Sequence, residues 1–201
     1  MIKTLETEDE KLSFEFNLNR WSLVEAFDKL PDVEKYANSK VDFIGLLDTD
    51  KLFLIEVKNL RERPLHAATH IIKKLQIDYQ SNYDSKNQPI VKEVIDSVKD
   101  SLLFITLQNR YALENTSLWA ELARLATSPE VKIYAVFCLE TDFEYLPNIN
   151  PQKLSIIKEH ILRRLQSAFE RIKATVLLID SSQDFSSNLA LKLNYNIDSS
   201  I

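Results

Sequence analysis

The stretch VDFIGLLDTDKLFLIEVK, Val41 to Lys58, decides how this chain folds. Asp48-Thr49-Asp50 separates two apolar runs, Val41 to Leu47 and Lys51 to Lys58, and a three-residue loop of this kind is a common hairpin connection. Pairing symmetric about Thr49 sets Leu47 opposite Lys51, Leu46 opposite Leu52 and Asp42 opposite Glu56. Directly opposed side chains have Cβ atoms about 4.5 to 5.5 Å apart, so the two carboxylates become neighbours. Side chains alternate along a strand, which puts Glu56 and Lys58 on the face that Asp42 occupies. The remainder is apolar on both faces: Phe43, Leu47, Phe53, Ile55 and Val57 on one, Ile44, Leu46, Leu52 and Leu54 on the other. That pattern is expected of central strands covered by helices.

Two carboxylates at the margin of such a core repel each other, and one must stay protonated unless a cation intervenes. A divalent cation resolves the conflict. Magnesium takes carboxylate oxygens and keeps several waters, which leaves room for a substrate phosphate and an attacking water. The nearby lysine can orient that water or stabilise negative charge on the phosphorus.

Outward from the hairpin, the spacing predicts an α/β chain. Leu12 to Leu18 alternates as a half-exposed edge strand would. Arg20 to Leu30 places Trp21, Val24 and Phe27 at helical spacing, with Pro31 as the stop. Val33 to Ala37 is read as a further short strand and Asn38-Ser39 as a turn. Pro64 to Tyr79 carries an amphipathic helical pattern, and Ser81 to Pro89 is a polar loop. Helices are expected over Ile90 to Leu113, Ser117 to Ala126 and Pro151 to Lys173, and buried strands over Val131 to Leu139 and Ala174 to Ile179. From Ser181 the chain reads as a polar tail with one edge strand.

At 201 residues, 45% of them hydrophobic, one domain with a substantial core is expected, its core spanning about residues 12–180. The first residues are charged throughout and no uncharged run approaches the roughly 18 residues that cross a bilayer, so the expected protein is soluble and cytoplasmic, with no membrane partner. One glycine, Gly45, cannot build a G-x-G-x-x-G turn, a G-x-x-x-x-G-K loop or a G-x-S-x-G elbow. Nucleotide-dependent kinases and common dehydrogenases thereby become poor candidates, and nucleophile-elbow hydrolases are excluded. Cys138, the lone cysteine, is expected as a buried core thiol. A formal charge of -5 gives no global attraction to nucleic acid, so any such binding needs a local basic surface.

Val41-Asp42, thirteen intervening residues and then Glu56-Val57-Lys58 resembles the PD-(D/E)XK signature of the restriction-endonuclease-like nuclease superfamily, with valine in place of proline. The resemblance implies a mixed sheet, a strand meander plus further strands, flanked by helices, in the order helix, three-stranded meander, helix, strand. It implies Asp42, Glu56 and Lys58 as catalytic residues. Asp42, Glu56, the Val57 carbonyl and Glu25, placed on the first helix, become the ligands of Mg2+, for which Mn2+ can substitute. The implied substrate is nucleic acid, DNA rather than RNA, cleaved by an activated water, with a second copy or a partner protein completing the grip. Arg61 and Arg63, basic and just after the strand, are expected to hold a phosphate backbone. Lys99 and Gln108 on the long helix resemble substrate contacts of that superfamily, with an exposed helix face as their other reading. A module of the same fold that binds nucleic acid or a partner protein without cutting is the alternative, and a metal hydrolase of other phosphate esters ranks third. His66 and His70, four apart, lack a third ligand and read as a polar helix face. Lys158, Arg163, Arg164, Arg171 and Lys173 are interrupted by Glu159 and Glu170 and read as a solvated one.

Overall fold

The hairpin forms as its pattern requires. In the computed structural model, which describes residues 1–7, 11–37, 39–61, 90–111, 116–141 and 151–195, β4 (Phe43–Leu47) and β5 (Lys51–Asn59) are antiparallel, with Leu47 opposite Lys51 and Phe43 opposite Ile55. Asp48 and Thr49 close the turn with φ of 52° and 64°. Arg20 grips Asp48 through two N–H donors and Lys51 adds a third bond at 2.8 Å, so the turn is held from both sides.

Four helices and two sheets make a mixed α/β structure among the described residues. β3 (Trp21–Ala26), β4, β5, β6 (Lys132–Glu140) and β7 (Thr175–Ile179) form one sheet in that order. Pairing is antiparallel through β5 and parallel from β5 to β7. β5 thus lies at the centre, and every residue from Leu52 to Val57 is buried. β1 (Ile2–Glu6), β2 (Leu12–Asn17) and β8 (Leu191–Tyr195) form a second, antiparallel sheet in the order β1-β2-β8.

The two faces of the hairpin go to two different partners. Ile44, Leu46, Leu52 and Leu54 join a core with α1 (Pro31–Tyr36), α2 (Ile90–Tyr111), α3 (Thr116–Thr127) and α4 (Pro151–Phe169). Phe43, Leu47, Phe53, Ile55 and Val57 join another with Leu12, Phe14, Phe16, Leu191 and Leu193 of the small sheet. The division of side chains between faces matches the alternation in the sequence. The cover does not match: one face carries helices and the other a sheet.

Three further expectations are corrected. Arg20 to Leu30 is strand β3 followed by a 3-10 turn at Phe27–Lys29, where a helix was expected. A bulge between Trp21 and Leu23 shifts the alternation by one residue, so Trp21 and Val24 face the same core at a spacing of three. A bulged strand therefore imitates helical spacing. Pro31 begins a helix and does not end one, because its fixed φ and missing N–H suit the first turn, so the strand expected at Val33 to Ala37 is α1. Leu12 to Leu18 yields β2, which is the middle strand of its sheet; Leu12, Phe14 and Phe16 are fully buried because their face packs on the hairpin.

The later elements follow the expected pattern, except that α4 ends at Phe169 and a 3-10 turn at Glu170–Ile172 leads to Lys173 in the left-handed region. β8 is an edge strand, yet Leu191 and Leu193 are core residues, so the core continues past residue 180. Cys138 is buried, and desolvation pushes its thiol well above the ordinary range. No helix among the described residues is long and apolar enough to cross a membrane. The Pro64 to Tyr79 helix, the Ser81 to Pro89 loop, Asn38, Arg63, His66 and His70 lie outside the described residues.

Candidate functional site

The site is built where β4 begins and β5 approaches its end. Asp42 precedes β4, and its Oδ2 accepts a 2.6 Å hydrogen bond from the Val57 N–H on β5. Its own carbonyl accepts from the Phe27 N–H at 2.8 Å, which ties it to the turn after β3. Glu56 is 4% exposed, and the register that sets Phe43 opposite Ile55 carries Asp42 to the position beside it. Lys58 Nζ lies 3.0 Å from Glu56 Oε1 and 3.7 Å from Glu93 Oε2 of α2.

The electrostatics show two carboxylates in competition. Burial, and next the charge of Glu56, push the Asp42 carboxyl up to about 7; the Val57 N–H and Lys58 oppose the shift. Burial also raises Glu56, against the pull of Lys58 and a hydrogen bond from Ser97. Burial works against the charge of Lys58, but Glu56, Glu93 and Asp42 outweigh it and hold the ammonium above its ordinary range. Glu56 Oε2 is buried and accepts no hydrogen bond. An orphaned, desolvated carboxylate oxygen beside a second desolvated carboxylate fits a cation, because a cation restores the lost solvation of both. Among the described residues no group of three or more His, Cys, Asp or Glu side chains closes a metal cage. Two carboxylates with room for further ligands are a donor set that suits a hard divalent cation.

Asp42, Glu56, Val57 and Lys58 are therefore brought together. Glu25 is on β3, opposite Ile44, and pairs with Lys3 at 3.3 Å; it occupies a strand and not the helix expected for it. Arg61 turns inward: Nη2 lies 3.0 Å from Oε2 of the fully buried Glu140 and donates to Ser181, and the guanidinium stacks 4.5 Å from the Tyr195 ring. A guanidinium held this way is a structural tie between β5, β6 and β8. Lys99 is exposed on α2 and Gln108 is buried. Arg163 pairs with Glu159 on the same helix, and Lys158 reaches Asp180 beyond β7.

Four residues join the site without having been singled out. Asp28, on the turn after β3, raises the Asp42 carboxyl through its charge. Glu93 faces Lys58, Ser97 donates to Glu56, and Ser101 Oγ accepts the Val41 N–H at 3.0 Å. The available signal was Ser97 and Ser101 within an otherwise apolar stripe of Val94, Val98 and Ile105. A serine buried on such a stripe needs a partner.

No family model, no curated protein and no solved structure matches this chain.

Proposed function

We propose that the chain is a Mg2+-dependent nuclease of the restriction-endonuclease-like type that hydrolyses phosphodiester bonds in DNA. The observation that carries the reading is the pair of desolvated carboxylates, Asp42 and Glu56, set side by side by the hairpin register with Lys58 on Glu56. It is supported by the antiparallel meander β3-β4-β5 followed by a parallel β6, the strand order the PD-(D/E)XK resemblance implies. Arg20 to Leu30, expected as the helix before the meander, instead supplies the meander's first strand and the turn that carries Asp28, so the implied leading helix is not there.

Asp42 and Glu56 would hold the cation, with the Val57 carbonyl as third ligand. A bound Mg2+ would supply charge to the scissile phosphate and a water of lowered pKa. The Val57 N–H and the Ser97 hydroxyl fix the two carboxylates in orientation before any cation arrives. Lys58 stays protonated, which suits it to stabilise negative charge on the phosphorus and not to remove a proton.

The test is cleavage of duplex and single-stranded DNA with Mg2+ or Mn2+. Glu56→Ala and Lys58→Ala are each expected to lose at least about a hundredfold in rate, the order of a removed electrostatic stabiliser. Unchanged magnesium-dependent cleavage in either variant sinks the assignment. A second reading is favoured by Arg61, whose guanidinium is engaged by the buried Glu140 and by Ser181. On that reading the chain is a binding module for nucleic acid or a partner protein that does not cut. Calorimetric titration decides: Mg2+ or Mn2+ binding that disappears in Asp42→Asn counts against the module.

A further inference from the structure

We propose that Glu93 is a positioning residue for Lys58, the second seat its ammonium occupies once Glu56 is engaged by a cation. The inference rests on the metal reading of the site and adds to it how the lysine is kept there.

Glu93, Ser97 and Ser101 lie four residues apart along α2, so they form one slowly turning line on the helix. Each meets a different piece of the site. Glu93 Oε2 is 3.7 Å from Lys58 Nζ, Ser97 donates to Glu56, and Ser101 accepts the Val41 N–H one residue before Asp42. A single rigid helix thus registers the entry of β4 against the end of β5. Val94 and Val98, buried beside this line, anchor it in the core, so Glu93 is presented from a fixed base.

Lys58 has three N–H donors on one nitrogen. In the structure the nearer acceptor is Glu56 Oε1 at 3.0 Å, and Glu93 stands just outside hydrogen-bond distance. Coordination through Glu56 would withdraw that acceptor and set a like charge against the ammonium. Glu93 is then the carboxylate within reach that keeps Lys58 beside the phosphate instead of releasing it to solvent. Without Glu93 the lysine stays on Glu56 and competes with the cation for it. Glu93 therefore favours cation binding by acting on Lys58.

Calorimetric Mn2+ titration of four proteins tests this: wild type, Glu93→Gln, Lys58→Met and the double variant. Glu93→Gln is expected to weaken Mn2+ binding about fivefold or more in the wild-type background and less than about twofold in the Lys58→Met background, because contacting residues couple and the route runs through the lysine. Glu93→Asp, which keeps the charge one methylene shorter, restores part of the affinity; a role in folding alone would show no such rescue. Equal weakening in both backgrounds, or none in either, overturns the assignment. Mn2+ binding that Asp42→Asn abolishes but Glu93→Gln leaves intact overturns Glu93 alone. A wild-type protein that binds no Mn2+ overturns the metal reading and this proposal together.

Discussion

Gly45 is the chain's one glycine, and its role is to make room. A Cβ there would stand 2.7 Å from Cζ3 of Trp21, whose ring is buried against Phe16 and Phe53 and whose Nε1–H donates to the Leu189 carbonyl at 2.8 Å. Gly45→Ala is expected to cost about 1 to 3 kcal/mol, the usual range for overpacking, read from chemical denaturation. A neutral effect would mean that the indole yields. Asp42 gives the opposite kind of residue-scale prediction. An acid whose folded pKa of about 7 lies above its unfolded value of about 3.9 holds its proton more tightly when folded. Its contribution is therefore most favourable below the unfolded value and is lost as pH rises through about 7. Metal-free Asp42→Asn, which cannot ionise, should melt above the wild type at pH 8, with the gap closing towards pH 4. A gap that does not change with pH would remove desolvation as the cause.

At the scale of elements, the hairpin turn carries a backbone cost. Thr49 is β-branched and holds φ at 64°, a region that glycine enters freely and threonine does not. Thr49→Gly is expected to leave β4 and β5 in register and to stabilise the protein by up to about 1 kcal/mol, glycine's greater loss of chain entropy offsetting part of the relief. Destabilisation in thermal melts would show that the threonine side chain contributes more to the turn than its backbone costs. β3 shows where element reading from sequence fails. Its bulge puts Trp21 and Val24 three apart on one face, a spacing that a helix also produces. Only pairing with β4, which supplies the ladder bonds for Leu23 to Ala26, separates the two. The same holds for Pro31, which suits either the end of one element or the first turn of another.

At the scale of the molecule, the carboxyl ends of β5, β6 and β7 are drawn together by buried ionic contacts. Glu140 is fully buried and takes the Ser181 N–H, the Ser181 hydroxyl and Arg61, while Lys158 reaches Asp180 from α4. Arg61→Met would strand a buried carboxylate, and such a loss costs about 3 kcal/mol or more. Denaturant unfolding should show it, whereas Arg163→Met, on an exposed pair with Glu159, should shift stability by less than about 0.5 kcal/mol. A small effect at Arg61 would mean that water reaches Glu140 once the guanidinium is gone.

The sequence by itself determined the hairpin, its register, the division of its apolar side chains between two faces and the meeting of Asp42, Glu56 and Lys58. All of these follow from alternation and turn length, which act over a few residues. Tertiary structure decided what covers each face, the strand identity of β3 and the inward turn of Arg61 towards Glu140. It also decided that Asp28, Glu93, Ser97 and Ser101 complete the site. Those outcomes depend on pairings between residues far apart in the chain, and the local pattern is the same whichever partner the fold supplies.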